Sequence, residues 1–202
     1  MIAVLFVVAL SGARAEPVTI VVLGDSLTAG YGLGAEDAFP AKLQMALARS
    51  GIEAVVINAG VSGDTSAGGL ARLAWSMDDG PDLAIIELGA NDALRGLAPE
   101  ATYENLAAIL QWLDDQEIPS LLTGMLAPPN MGEEYGRAFN AIYPRLAEYF
   151  SVELYPFFLD GVAANPALLQ EDGMHPNSEG VDVIAAGVVP YVVDALKVGI
   201  TN

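Results

Sequence analysis

The sequence contains no cysteine among its 202 residues. Disulfides, thiolate metal sites and cysteine nucleophiles are therefore all excluded, and packing alone must hold the fold together. Histidine is almost as scarce, because His175 is the only one. A single imidazole cannot build a three-ligand zinc site unless carboxylates take over, so we expect no metal centre. A calcium site made from acidic side chains remains the open alternative.

Basic side chains are also few: 8 Lys and Arg stand against 26 Asp and Glu, which gives a net charge of −18. A surface of this charge repels nucleic-acid phosphates and anionic lipid headgroups, so we expect no nucleic-acid partner and no polybasic membrane patch. Beyond the N-terminus no stretch reaches the roughly 18 uninterrupted apolar residues of a membrane-spanning helix. Hydrophobic residues nevertheless make up 53% of the chain, enough for the core of one domain.

The N-terminus has a composition of its own. Residues 1–10 form an apolar run, and Ala13 and Ala15 give the small-x-small pattern of a signal-peptidase site. We predict a signal peptide over residues 1–15 and a single domain over residues 16–202, periplasmic or secreted and without a stable membrane anchor after cleavage. A lipid anchor or a misplaced start is the alternative, because no Lys or Arg precedes the apolar run.

Short apolar runs alternate with amphipathic stretches along the rest of the chain. Runs typical of parallel strands covered on both faces span residues 18–23, 54–57, 83–88, 120–125 and, more weakly, 152–155. Apolar residues spaced three and four apart predict helices over residues 39–49, 65–77, 103–116, 135–150 and 178–196. The pattern predicts an α/β fold with a mostly parallel five-stranded sheet between two helical layers. Ligands bind such sheets beyond the carboxyl ends of the strands.

Ser26 directly follows the first predicted strand, within Gly24-Asp25-Ser26-Leu27. A serine hydroxyl attacks a carbonyl only when a base takes its proton, and His175 is the single imidazole available. Asp172 lies three residues before His175, near enough for one turn of chain to bring its carboxylate to the ring. The alternatives are a helix cap at Ser26 and an ordinary turn before a helix at residues 172–178. Together the three residues predict a serine hydrolase.

An oxyanion formed at the attacked carbonyl needs hydrogen-bond donors already in place. The candidates are the backbone N–H of Ser26, an N–H from the loop around Gly63 and the side-chain amide of Asn91, which follows the third predicted strand. Ordinary turns use the same residue types. The glycine-rich segment 60–69 does not indicate a nucleotide site, because it lacks the Lys-Ser/Thr of a phosphate loop and the spacing of a dinucleotide fingerprint.

Four segments resemble, in order, the signature blocks of the SGNH or GDSL hydrolase family. They read Gly24-Asp-Ser-Leu-Thr-Ala-Gly-Tyr31, Asn58-Ala-Gly-Val-Ser-Gly-Asp-Thr65, Glu87-Leu-Gly-Ala-Asn-Asp92 and Asp172-Gly-Met-His-Pro176. The fuller strings are similar to the thioesterase I, arylesterase and lysophospholipase L1 branch, over about residues 18–195. The resemblance implies a flavodoxin-like three-layer α/β/α sandwich and a hydrolase of small-molecule esters and thioesters.

The resemblance also implies a role for each matching residue. Ser26 is the expected nucleophile and carries the acyl group of the intermediate. His175 is the expected base and then acid, and Asp172 orients it. Ser26, Gly63 and Asn91 are the expected oxyanion hole, and no cofactor is required.

The expected acyl groove lies against segment 123–131, which follows the fourth predicted strand. Methionine adapts to varied shapes, so its apolar side chains suit such a wall. A plain proline-stiffened loop is the alternative. The candidate substrate-binding residues are Met125, Leu126 and Met131 from this segment, together with Asp25, Tyr31 and Asp64.

Two other functions remain open from the sequence. A carbohydrate acetylesterase would use the same three residues but needs a short, polar acyl pocket. A non-catalytic binding module fits less well, because every expected catalytic residue type is present. The physiological substrate, acyl chain length and oligomeric state are left open.

Overall fold

The computed structural model describes residues 16–200, with side chains up to residue 197, so the predicted signal peptide lies outside the described residues. The strands are β1 (Val18–Gly24), β2 (Ala54–Gly60), β3 (Leu83–Glu87), β4 (Ser120–Thr123) and β5 (Glu153–Tyr155). The α-helices of the described residues are α1 (Ser26–Ala29), α2 (Phe39–Arg49), α3 (Ser66–Ser76), α4 (Ala90–Leu94), α5 (Pro99–Asp115), α6 (Glu133–Asn140), α7 (Ile142–Phe150) and α8 (Ser178–Ile200).

The five strands form one sheet in the order β2-β1-β3-β4-β5, and every neighbouring pair is parallel. This is the flavodoxin-like order, in which the strand sequence reverses at β1. Ile20, Val22 and Leu23 of β1 are fully buried, as are Leu83 and Ile86 of β3, because both strands are covered on both faces. The predicted α/β sandwich is confirmed, and the sheet is wholly parallel across the described residues.

The helices pack in two layers. Helix α2 packs against α8, while α3 packs against α5 and α5 against α7. Right-handed crossovers on the two sides of β1 place these groups on opposite faces of the sheet. Across residues 16–200, no helix is long and apolar enough to cross a bilayer.

The predicted helix over residues 135–150 is in fact two helices, α6 and α7, which meet at Ala141. Pro144 explains the break, since it has no N–H to donate to the carbonyl four residues earlier and is tolerated only in a first turn. The short helices α1 and α4 were not predicted, because four or five residues are too few to show a helical period. Both follow strands at the carboxyl edge of the sheet.

Candidate active site

The site lies at the carboxyl edge of the three strands around the point where the order reverses. Gly24, the last residue of β1, aligns with Gly60 of β2 on one side and with Glu87 of β3 on the other. A Cβ at Gly24 would collide with Thr28 Oγ1 and come within 2.9 Å of the Glu87 carbonyl oxygen, so only glycine fits where the chain turns into α1. Ser26 is the first residue of that helix.

Asp172, His175 and Ser26 form a continuous hydrogen-bonded line. His175 Nε2 lies 2.9 Å from Ser26 Oγ, and His175 Nδ1 lies 2.6 Å from Asp172 Oδ2. Because an ionised carboxylate can only accept hydrogen bonds, the Nδ1 atom carries the ring proton and the Nε2 lone pair faces the serine hydroxyl. The geometry therefore suits removal of the Ser26 proton.

The Asp172 carboxylate is held in its charged form by its own loop. Its Oδ1 atom accepts the backbone N–H groups of His175 (3.0 Å) and Met174 (2.9 Å). The backbone N–H of His175, the imidazole and the Met174 N–H together lower the pKa of Asp172 to about 2. Asp172 is thus ionised over the whole neutral range and can hold the ring in one tautomer.

One contact packs against the imidazole, and a second holds the loop that carries it. The Tyr31 ring lies against the His175 ring, with centroids 4.6 Å apart and planes inclined by 34°. Gln170 Nε2 donates to the carbonyl oxygens of Tyr31 (2.7 Å) and Pro176 (2.9 Å), which joins the His175 loop to the segment after α1. Sequence reasoning missed Gln170, and no local pattern marks it, because its partner is 139 residues away.

The three expected oxyanion donors lie on one cavity. Ser26, Gly63 and Asn91 all line it, together with His175. Asn91 lies in the first turn of α4, and Gly63 lies between β2 and α3 with a φ of +86° that favours glycine. Their chain segments come from strands on either side of β1, so the sheet order itself places the donors around Ser26.

The cavity has a volume of about 450 Å³ and an apolar wall. Its carbon-rich lining includes Leu27, Leu94, Met125, Leu126 and Leu159. No Asp, Glu, Lys or Arg side chain is among the described residues that line it. Such a wall suits an uncharged acyl chain.

Three of the six candidate substrate-binding residues, Tyr31, Met125 and Leu126, do line the cavity. Leu94, Leu159 and Met174 line it as well and were not predicted from the sequence. Leu94 lies only three residues after Asn91, but nothing in the residue type distinguishes a lining leucine from a core one. The apolar character expected of segment 123–131 is present at its first half.

The other three candidates lie off the cavity, which corrects the expectation for each. Asp25 is fully buried beneath it, where its carboxylate accepts N–H groups of the protein. Asp64 forms an ion pair of 2.6 Å with Arg72, and the Arg72 guanidinium also donates to the Gly24 carbonyl oxygen. Asp64 therefore connects the loop after β2 to the end of β1 through Arg72. Met131 ends a short 3₁₀ turn (Pro129–Met131) and lies near Gly96.

Metal ligation is not indicated by the described side chains. Within residues 16–197, no three His, Asp or Glu side chains are grouped closely enough to hold an ion. The chemistry that the site offers is a nucleophile, a base with its orienting carboxylate, and amide donors around an apolar cavity.

Comparison with known proteins places this site in a family. Residues 22–183 match the model of the GDSL-like Lipase/Acylhydrolase family. An arylesterase of Vibrio mimicus is 42% identical over 188 residues, which cover 93% of this chain and 94% of that protein. Thioesterase 1/protease 1/lysophospholipase L1 of Escherichia coli strain K12 is 43% identical over 182 residues, covering 90% and 86%. The crystal structure of TesA superposes with a TM-score of 0.83 at 40% identity, covering 88% of this chain and 99% of that one.

Proposed function

The chain belongs to the GDSL-like lipase/acylhydrolase family, and on that premise we propose that it is an exported enzyme that cleaves carboxylic esters and thioesters through an acyl-enzyme on Ser26. It is a serine ester hydrolase of the arylesterase, thioesterase and lysophospholipase type, as its relatives with more than 40% identity over most of the chain are. The observation that carries the proposed mechanism is the line of hydrogen bonds from Asp172 through His175 to Ser26.

Acylation begins when Ser26 Oγ attacks the carbonyl carbon of the substrate and His175 Nε2 takes the hydroxyl proton. The carbonyl oxygen becomes an oxyanion, and the N–H groups of Ser26, Gly63 and Asn91 donate to it. When the carbon–oxygen or carbon–sulfur bond to the leaving group breaks, His175 Nε2–H returns its proton to the departing alcohol or thiol. Asp172 stabilises the imidazolium between these two transfers.

Deacylation repeats the sequence with water as the nucleophile. His175 Nε2 takes a proton from a water molecule, whose oxygen attacks the acyl carbon, and the same donors stabilise the second oxyanion. The bond between Oγ and the acyl carbon then breaks, Ser26 recovers its proton from His175, and the carboxylic acid leaves. These steps use only the chain, the substrate and water.

The cavity favours an apolar acyl chain over an acetyl group. Its wall is built from leucine and methionine side chains, and a volume of about 450 Å³ is much larger than an acetyl group requires. This argues against the carbohydrate acetylesterase that the sequence left open, since that function needs a short, polar pocket. A net charge of −18 further favours neutral leaving groups over polyanionic ones.

Hydrolysis of p-nitrophenyl butyrate by the mature protein and its Ser26→Ala variant tests the mechanism. We expect a burst of one p-nitrophenolate per enzyme in rapid mixing and a loss of at least about 10³-fold in kcat in the variant. Ser62→Ala is the matched control, because Ser62 also lines the cavity, and it should retain activity. Equal rates in wild type and Ser26→Ala would remove Ser26 as nucleophile, and no turnover in either would favour a narrow acetylesterase or a binding module.

Export is tested by expressing the complete chain and determining the N-terminus of the product. Cleavage by signal peptidase predicts a mature protein that begins at Glu16 and is released with the periplasmic or extracellular fraction. An uncleaved chain in the cytoplasmic fraction, or one that stays with the membrane, would refute this part of the proposal.

A further inference from the structure

Two carboxyl groups lie fully buried beneath the expected oxyanion donor Asn91. Asp25 and Glu87 are both 0% exposed, at the ends of the neighbouring strands β1 and β3. The Asp25 backbone N–H donates to Glu87 Oε2 over 3.2 Å, and the two carboxyl groups lie close enough to shift each other's pKa. Neither group takes part in the reaction steps described above. Burying two carboxyl groups side by side costs free energy of folding, and the residues around the pair show what offsets that cost.

The hydrogen bonds assign the proton of this pair. Both Asp25 oxygens already accept N–H groups, Oδ1 from Leu27 (3.0 Å) and Oδ2 from Asn91 Nδ2 (2.9 Å), which is the pattern of an ionised carboxylate. Glu87 Oε1 has no hydrogen-bond partner among the described atoms. Adjacent buried carboxyls cannot both ionise, so the pair holds one proton and Glu87 carries it. Burial, and then the Asp25 charge, raise the pKa of Glu87 well above its ordinary value.

The ionised Asp25 side chain fixes which way the Asn91 amide faces. One Asn91 N–H is held by Asp25, which leaves the second N–H on the side of the cavity that Ser26 and Gly63 line. Rotating the amide by half a turn would bring its oxygen against the carboxylate and would present an acceptor to the oxyanion. Through Leu27, the same carboxylate also holds the turn that carries Ser26.

We propose that Asp25 is a positioning residue for ester hydrolysis: its carboxylate locks the Asn91 amide with an N–H toward the oxyanion, and Glu87 supplies the proton that lets this buried pair carry a single charge. The inference rests on the proposed role of Asn91 as an oxyanion donor. It gives Asp25 a function through Asn91 in place of the substrate contact expected from the sequence.

Protonation of Asp25 should therefore weaken the oxyanion hole. Burial raises the pKa of Asp25 to about 6, against the lowering effects of the Leu27 and Asn91 hydrogen bonds. The ionised form is the active one, so the hold on Asn91 is complete at pH 8 and is lost as the pH falls through 6. The other titratable and charged groups that face the pair, one from each packed element, are Arg72 on α3, Asp92 on α4, Tyr143 on α7 and His175 on its loop.

The first test compares pH profiles of wild type and Asn91→Ala on p-nitrophenyl butyrate. In wild type, protonation of Asp25 should release Asn91, so log(kcat/KM) should show an additional loss of about 10- to 100-fold as the pH falls through 6. In Asn91→Ala, turnover should drop by about 10²–10³-fold, and the additional loss near pH 6 should be absent because the Asp25 charge no longer orients an oxyanion donor. This comparison does not require any Asp25 variant to fold.

The second test introduces Asp25→Asn alone and together with Asn91→Ala. We expect Asp25→Asn to lower kcat by about 10- to 100-fold with little change in KM, since it misorients one donor that is itself worth about 10²–10³. The double variant should be no slower than Asn91→Ala, because both changes remove the same interaction. Circular dichroism confirms that each variant is folded.

The possible failures are distinguishable. An additional loss near pH 6 that persists in Asn91→Ala, or additive losses in the double variant, would overturn the role of Asp25 while leaving Asn91 in place. Full activity of Asn91→Ala would remove the oxyanion role on which this inference rests. Full activity of Ser26→Ala would instead refute the proposed function itself.

Discussion

The guanidinium of Arg95 donates a hydrogen bond of 2.7 Å to the carbonyl oxygen of Gly63. Arg95 caps the C-terminus of α4, the helix that carries Asn91, whereas Gly63 lies in the loop after β2. The bond therefore joins the two chain segments that bring oxyanion donors to Ser26 from opposite sides. Because Arg95 is exposed, this link bears on the geometry of the loop more than on the stability of the fold.

Arg95→Ala should lower kcat on p-nitrophenyl butyrate by about two- to tenfold, the kinetic equivalent of one lost hydrogen bond of about 0.5–1.5 kcal/mol. The melting temperature should stay close to that of the wild type. Arg137→Ala is the control, because Arg137 forms an exposed pair with Glu133 within α6, away from the site. An equal loss of activity in the two variants would show that the effect comes from surface charge and not from the loop.

Asp172→Asn should reduce kcat by about 10³–10⁴-fold, because an amide cannot hold His175 in the tautomer that accepts the serine proton. The pKa of Asp172 is lowered to about 2, so its ionisation contributes stability above the ordinary pKa of 3.8 and loses it only as the pH falls toward 2. Asp172 titration should therefore leave activity and stability unchanged between pH 5 and 8. The measurements are kcat and the melting temperature at several pH values. Glu171→Gln is the control, because it removes the charge of a neighbouring acid. An equal loss of kcat in both variants would contradict the role of Asp172 in orienting His175.

Tyr31→Ala should lower kcat by about two- to tenfold, since it removes a ring contact with His175 of the kind worth about 0.5–1.5 kcal/mol. Tyr31→Phe keeps the ring and should stay within about twofold of the wild type. The pair of variants separates ring packing from the hydroxyl. Similar losses in both would assign the effect to the hydroxyl group instead.

Hydrolysis of a polyanionic substrate should depend on salt. With a net charge of −18, the protein repels butyryl-coenzyme A, so raising the ionic strength from about 0.01 to 0.3 M should increase kcat/KM for that thioester by about tenfold. The neutral ester p-nitrophenyl butyrate should change by less than about twofold over the same range. Parallel salt responses of the two substrates would show that long-range charge does not select the leaving group.

Gly60→Ala should destabilise the fold by about 1–3 kcal/mol, the usual cost of overpacking. A Cβ there would lie 2.6 Å from the Ala29 backbone N and 2.8 Å from its Cα, and backbone atoms cannot move aside as a flexible side chain does. Gly136→Ala is the matched control, because a Cβ at this position in α6 meets nothing within 4 Å. Its stability should be unchanged or raised by up to about 1 kcal/mol in urea unfolding. Equal effects in the two variants would contradict the close approach of Gly60 to α1.

Most of the fold could be predicted from the sequence, because a buried parallel strand and an amphipathic helix leave different hydrophobic periods. Helix α2 has the predicted bounds, residues 39–49. The predicted helix over residues 135–150 was too long, because the effect of Pro144 depends on where a first turn begins. Helix α1 was missed because four residues carry no period.

The site, like the fold, has residues that the sequence predicts and residues that it does not. Ser26, Asp172 and His175 could be predicted because their chemistry restricts the residue types, and the structure brings them within hydrogen-bond distance. The burial of Asp25 could not be predicted. An aspartate between a glycine and a serine has the composition of an exposed turn, and only the register of β1 with β3 brings Glu87 beside it.

The hydrogen bond between Ser26 and His175 joins residues that are 149 positions apart in the chain. Ser26 therefore has no base until the segment before α8, which carries His175, has folded back over the end of β1. A chain that ends before His175, or one that has not yet folded, lacks the base that activates Ser26. In a refolding experiment, the recovery of esterase activity would report when this long-range contact forms. The helical circular dichroism signal would report the earlier formation of local helices.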